Sequence, residues 1–343
     1  MKENELRFLA SLSVCPSDIK KLKTLIQTTE QDVDPLENLL FTPLFSSPYS
    51  LTIMKELSEH GKRIIFDSGG YYVQIGRLTY NQLYLPLLNI YRENTWANLY
   101  TLPDHVPTSQ DGAEVVDIKV RDTVVNSTLF FQEIPDIIKS KVMPVVQGNS
   151  MRHMDLCLKA YIKLGVRWIG FGSFGTVGKN FESNVATQKT VDLARYVIDV
   201  AHSNDIKVHL FGLGVPALVA MLKGVKADSF DSSSWLKAAG FGQVFLPFLR
   251  AYNISHNIVT DTNFQRGITL DQFKQYKEIT GHDCLFCRDI RGLQANKMYR
   301  AIHNLIVIHE TVSMANSGKY EQIRRIYMAG SPKYRGEFEK WLQ

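Results

Sequence analysis

Along the chain, short apolar runs alternate with longer stretches whose apolar residues recur every three to four positions. The runs at 63–66, 97–102, 142–146, 168–171, 207–211 and 228–230 are each bounded by turn-forming or polar residues, and they predict buried strands. Between them, 149–164 puts Met154, Cys157, Leu158 and Tyr161 at helical spacing, and 188–202 does the same with Val191, Leu193, Tyr196, Val197 and Val200. Unbroken apolar strands separated by amphipathic helices are the mark of a parallel sheet covered by helices. Asp67, Asp104, Gln147, Gly172 and Asp231 all fall just past the C-terminal end of an expected strand. A closed (β/α)8 TIM-like barrel, an α/β fold, would collect all five on one rim, the rim where such barrels keep their chemistry. The stretch 240–261, which contains Pro247, reads as a loop excursion after the last of these strands.

Composition changes this picture little. A chain of 343 residues with 45% hydrophobic and 21% charged residues is ordinary for a globular protein and long enough for one barrel with an insertion. The net charge of +5 is unevenly placed: ten Lys and Arg against five acids fall between Cys284 and Gln343, the placement a nucleic-acid backbone contact requires. A solvated helix face is the plainer reading of the same residues. Four cysteines are too few for a disulfide framework at this length, so the Cys284-x-x-Cys287 pair points to metal or redox chemistry. The first residues, MKENELRFLASLSV, have early acids and no signal-peptide apolar region, and no apolar run approaches the ~20 residues of a membrane span. A cytoplasmic location without membrane association is the expectation.

Two segments carry the candidate chemistry. Phe66-Asp67-Ser68-Gly69-Gly70-Tyr71 places a carboxylate at a strand end, followed by two glycines that let backbone approach a flat ligand. Taken alone, this is also how a tight turn caps a strand. The second is Asp228-Ser229-Phe230-Asp231-Ser232-Ser233-Ser234-Trp235. Two carboxylates on one rim suffice for substitution at a sugar's anomeric carbon, one as nucleophile and the other handling the proton of the leaving group. Farther on, His282-x-Cys284-x-x-Cys287 precedes His303-Asn304.

The DSGGY and DSFDSSSW segments, with Pro144-Val145-Val146-Gln147-Gly148 between them and the CxxC after them, resemble the tRNA-guanine transglycosylase superfamily over roughly residues 60–310. The resemblance implies a barrel with a small zinc-binding subdomain near the C-terminus. It makes Asp231 the nucleophile that forms a covalent aspartyl-sugar intermediate, and Asp67 the general acid/base. Asp104 becomes the acceptor for guanine's ring N–H and exocyclic amine, with Gln147 and the backbone amides around Gly172 and Ser173 as donors to its carbonyl. Ser68 and Gly69 line the base site, and Tyr71 and Phe211 could stack on the base from either side. Structural Zn²⁺ would be held by His282, Cys284, Cys287 and His303. His282 stands where the family has a cysteine, and the short spacer to His303 leaves His309 as a competing ligand.

After Asp231 the family's tRNA-directed members carry a Cys-Val-x-Pro-Thr-Arg type of segment, and here the chain reads Ser232-Ser233-Ser234-Trp235-Leu236-Lys237. In this it is more similar to the branch that inserts 7-deazaguanine bases into DNA. The expectation is therefore a DNA-guanine transglycosylase exchanging guanine for a base such as 7-cyano-7-deazaguanine, with Trp235 a candidate to fill the gap left by an extruded guanine. The alternatives are the same exchange on tRNA, a catalytically silent nucleic-acid-binding partner subunit, and a hydrolase that leaves an abasic site. Expected partners are DNA, the 7-deazaguanine base, and either a second copy of the chain or accessory DNA-opening proteins. The expected layout is a catalytic barrel over 1–275, a zinc-binding insertion over 276–310 and a basic helical segment over 311–343 that packs on the barrel.

Overall fold

Parallel strands of two to six residues form the centre of the fold: β1 Arg7–Leu12, β2 Asn38–Phe41, β3 Arg63–Phe66, β4 Leu99–Thr101, β5 Val142–Met143, β6 Val145–Val146, β7 Trp168–Phe171, β8 Lys207–Leu210 and β9 Ser229–Ser232. The computed structural model describes residues 5–12, 16–27, 34–108, 110–172, 187–255 and 267–330. Their order is β5-β4-β3-β2-β1-β9-β8-β7-β6, with every neighbouring pair parallel. The two ends of that order are consecutive in the chain, separated only by Pro144. Proline brings no N–H to a ladder, which interrupts the strand there, although its carbonyl still accepts from the Gly170 N–H at 2.8 Å. β5 and β6 are thus one broken strand, and the sheet is a nearly closed TIM-like barrel.

Two of the expected strands, 63–66 and 168–171, appear with their expected bounds, while 97–102 and 207–211 are trimmed at their ends. The last, expected at 228–230, is shifted to Ser229–Ser232, so Asp231 lies inside β9 rather than beyond it. β1 and β2 were not singled out by the pattern. β1 opens on an exposed Arg and contains Ser11, which weakens its apolar run.

The barrel interior is filled by Leu9, Leu40, Ile65, Leu99 and Met143, one from each of five neighbouring strands. Trp168, at the start of β7, packs against this cluster, as does Phe211, just past the end of β8. Each such fully buried side chain contributes roughly 1.5–3 kcal/mol. A second, larger core lies between the sheet and its helices. Helix Met151–Leu164 shows why the local sequence folds as it does. Ser150 caps its first turn by accepting from the His153 N–H, and Gly165 ends it in a left-handed conformation at φ 70°. Thr187 caps helix Gln188–His202 in the same way.

Beyond β9, helix Ser234–Gly240 is followed by an antiparallel pair, Gln243–Val244 with Tyr252–Asn253, where only a loop was expected. Helix Lys297–Asn316 then packs along Ser234–Gly240 and against β1, the position that closes the ring of helices. Asn304 ties it down: its Oδ1 accepts from the Phe245 N–H at 2.7 Å and its Nδ2 donates to the Trp235 carbonyl at 3.0 Å. At the far end Asn316 exchanges two hydrogen bonds with the Leu6 backbone. This one helix spans residue 310, where the sequence suggested a change of segment. Among the described residues, no helix is long and apolar enough to cross a membrane.

Candidate active site and metal centre

The C-terminal mouth of the barrel brings Asp67, Asp104, Gln147 and Asp231 together, and each is positioned by a different strand. Asp67 leaves β3 with its backbone N–H still on the ladder, donating to Phe41 O at 2.9 Å. Its Oδ2 accepts from Thr42 Oγ1 at 2.9 Å and from the Gly69 N–H at 3.3 Å. That last contact requires Gly69 to turn back at φ 84°, a region open to glycine and strained for other residues. Burial pushes the Asp67 carboxyl up to about 7 against the Thr42 hydrogen bond, and the negative charges of Asp104 and Asp231 push the same way.

Asp104 is buried at 5% exposure and accepts from Ser68 Oγ at 2.8 Å and from Gln147 Nε2 at 2.6 Å. Burial raises its carboxyl pKa as well, and those two hydrogen bonds oppose the rise. The Gln147 amide is reached this closely because residue 172 has no side chain: a Cβ on Gly172 would come within 2.2 Å of Nε2. Gln147 Oε1 is buried and has no partner among the described residues. A buried acceptor without a donor is costly in a finished protein interior. Beside a carboxylate that can take further hydrogen bonds, it marks a place where a ligand's N–H groups fit.

Asp231, inside β9, receives three donors. Ser11 Oγ of β1 donates to Oδ2, the Gly212 N–H donates to Oδ1 at 2.9 Å, and His209 Nε2 lies 3.3 Å from the same oxygen. The His209 ring is fully buried beneath the carboxylate, with Nδ1 at 2.9 Å from Ser229 Oγ. A Nδ1 that accepts from that hydroxyl leaves the proton on Nε2, facing Asp231. Phe211 packs edge-on against this imidazole, with ring centroids 4.5 Å apart. Sequence reasoning missed Ser11, Thr42 and His209. Only the Val208-His209-Leu210 run, with a polar residue at an inward-facing strand position, could have flagged any of them.

Several expectations need correction. The Gly172 N–H is used by the barrel ladder, donating to Val146 O at 3.1 Å, so it is not a free donor for a ligand carbonyl. Ser173, expected beside it, lies outside the described residues. Gln147 gives one of its two N–H groups to Asp104, which leaves the other for the expected donor role, and its Oε1 adds an acceptor with no partner among the described residues. Tyr71 stands at the rim, 49% exposed, with the Lys237 ammonium 5.9 Å from its ring centroid. Trp235 is fully buried under helix Lys297–Asn316, where it belongs to the core and cannot enter a nucleic-acid duplex.

His282, Cys284, Cys287 and His303 form a second constellation, all buried, with their ligand atoms within 4.8 Å of one another. The donor set fits a metal ion. His282 Nε2 and His303 Nδ1 face each other at 3.4 Å, and Cys284 Sγ is 3.4 Å from His303 Nδ1. Each imidazole's other nitrogen is held from behind: His282 Nδ1 by Glu310 Oε2 at 2.5 Å and His303 Nε2 by the Phe245 carbonyl at 2.9 Å. Such outer partners orient metal-bound histidines and fix their tautomers. Hydrogen bonding from Cys284, and then from His282, pulls the Cys287 thiol down, while Cys284 moves up.

His309 does not compete for this centre. It lies six residues beyond His303 on the same helix, about 240° around it, and its Nε2 is 3.2 Å from Pro35 O. The basic C-terminal residues are also heterogeneous. Arg300 is buried and donates to the Ala239, Leu293 and Gln294 carbonyls, and Arg288 pairs with Asp283 at 2.7 Å. Lys333, Arg335 and Lys340 lie outside the described residues, whereas Arg324 and Arg325 are exposed on helix Tyr320–Ala329. Compared with known proteins, the chain matches no family model and no curated sequence.

Proposed function

We propose that this chain is a DNA-guanine transglycosylase, exchanging guanine in DNA for a 7-deazaguanine base such as 7-cyano-7-deazaguanine. One observation carries the reading: two carboxylates share a barrel mouth in opposed surroundings. Asp67 is pushed up to about 7, while Asp231 is gripped by Ser11, Gly212 and His209. A buried carboxyl that keeps its proton suits the acid, and a carboxylate held by hydrogen-bond donors is positioned as the nucleophile.

In the forward half-reaction an Asp231 oxygen attacks the sugar's anomeric carbon. The bond to guanine N9 breaks, and the departing base takes a proton from Asp67. The incoming 7-deazaguanine gives its N9 proton to Asp67 and attacks the same carbon, releasing Asp231 and restoring the original configuration. Between them, Asp104 and the open acceptor of Gln147 suit the N–H groups on guanine's ring and exocyclic amine, groups that both bases carry. A base lacking those donors would leave the buried acceptors unpaired, which is the strongest form of discrimination available to such a pocket. The four-residue centre would hold Zn²⁺ by two thiolates and two imidazoles, a filled tetrahedral set with a structural role.

Incorporation of labelled guanine into duplex DNA, single-stranded DNA and unmodified tRNA tests this, with Asp231→Ala as control. Label entering DNA alone, and lost in the variant, supports the reading. Label in tRNA alone moves the same chemistry to RNA, release of guanine without incorporation indicates a hydrolase, and no label in any substrate leaves a partner-dependent enzyme or a silent binding subunit.

A further inference from the structure

Three aromatic side chains that would ordinarily be buried are about half exposed around the barrel mouth. Phe45 is 51% exposed, Tyr49 48% and Tyr71 49%. They come from neighbouring loops: Phe45 from the 3-10 turn Pro43–Phe45 after β2, Tyr49 from the first turn of helix Pro48–Glu59, and Tyr71 from helix Gly70–Gln74 after β3. Half-buried Tyr72 links two of them, lying 4.4 Å centroid to centroid from Phe45 and 6.2 Å from Tyr71. The same turn is bonded to the candidate acid, because Thr42 donates to Asp67.

Cations accompany the three tyrosines, while Phe45 carries none among the described residues. Lys20 lies 5.7 Å from the Tyr49 ring centroid, Arg77 5.9 Å from Tyr72 and Lys237 5.9 Å from Tyr71. Among the described residues none of the three is paired with a carboxylate. Rings that alternate with unpaired cations offer stacking surface and phosphate neutralisation side by side, which an apolar protein partner would not use and a polynucleotide with uncovered bases would. Duplex bases keep their faces covered by their neighbours, so the rings have something to bind only where the strand is unstacked.

We infer that this rim is a docking platform for single-stranded DNA, taking the bases that flank the residue in the mouth on Phe45 and Tyr49 and their phosphates on Lys20, Arg77 and Lys237. The inference rests on the transglycosylase reading for the identity of the residue in the mouth, and it adds that the substrate is held as an unpaired segment.

The test is fluorescence anisotropy of labelled oligo-dT with the full chain. Oligo-dT contains no guanine, so binding is read apart from exchange. Oligo-dT should bind at least ~10-fold tighter than a duplex of equal length, with affinity falling as salt rises. Phe45→Ala and Tyr49→Ala should each weaken it roughly 10-fold, and Phe45→Trp should keep it. Equal or tighter duplex binding, alanine variants that bind like wild type, or tighter binding of oligo-U would each overturn the inference. So would a change in sedimentation on Phe45→Ala, which would make the rim an interface between copies of the chain. Guanine exchange that proceeds while the alanine variants bind normally sinks the platform alone. Oligo-dT binding that responds as expected in a protein exchanging no guanine sinks the transglycosylase reading alone.

Discussion

Asp67 holds its proton to about pH 7 because burial disfavours its charge, whereas the unfolded chain releases the same proton near pH 4. Between those values the folded state carries one proton more than the unfolded state, so this group's contribution to stability is complete below about pH 4 and is lost as pH rises to about 7. Asp67→Asn cannot titrate. Its unfolding free energy relative to wild type should therefore climb from pH 4 to about 7 and level off above, as read by urea denaturation across pH. A difference that does not vary with pH would mean that Asp67 ionises like an ordinary carboxyl group. The same variant should slow exchange by about 10²-fold or more. His209 makes a second prediction. His209→Phe keeps an aromatic ring but removes the donor facing Asp231, which should lower kcat roughly 10- to 100-fold with guanine affinity unchanged, and His209→Gln should recover part of the loss. The carboxylates were legible in the sequence because each sits in its own short motif. His209 and Ser11 were not, since Ser11 meets Asp231 across 220 residues through β-sheet register alone.

At the scale of elements, helix Lys297–Asn316 does two jobs: it closes the ring of helices and carries His303 to the candidate metal centre. Metal loss should therefore loosen the barrel as well as the small subdomain. Purified protein is expected to hold about one zinc per chain, and Cys287→Ser to lose it, with a fall in Tm of roughly 10 °C measured by calorimetry. Full metal content and an unchanged Tm in Cys287→Ser would remove the centre from the structural account. The helix also shows how far periodicity can be read. Spacing along the chain brought His303 and His309 forward as alternatives, but a six-residue step turns His309 toward Pro35 and Phe8, away from the cysteines. Trp235 failed as a nucleic-acid contact for a related reason. Its sequence context gave no sign that helix Ser234–Gly240 follows β9 and buries the indole under Lys297–Asn316. Strands with strong apolar runs were legible, while β2 is as short as β3 and β7 and is fixed in the barrel by its pairing with β1 and β3.

Across the whole molecule, the mouth and the tail are physically joined. Tyr327 of helix Tyr320–Ala329 donates to the Ala217 carbonyl in the turn that follows β8, so the exposed Arg324 and Arg325 are carried on an element anchored beside the strand ends. The excess positive charge of the C-terminal sixth cannot act as a unit, because Arg300 and Arg288 are committed to internal partners. What remains for a polynucleotide is a smaller set of exposed side chains, and the salt dependence of binding counts them. Each phosphate contact contributes about 0.7–0.9 to the slope of log affinity against log salt. If both arginines touch phosphates, Arg324→Gln with Arg325→Gln should flatten the slope for single-stranded oligo-dT by roughly 1.4 and weaken binding most at low salt. The Phe45→Ala loss should instead stay nearly constant across salt, because stacking releases no counterions. An unchanged slope in the double variant would make the tail helix solvated surface and leave phosphate recognition to Lys20, Arg77 and Lys237 on the rim.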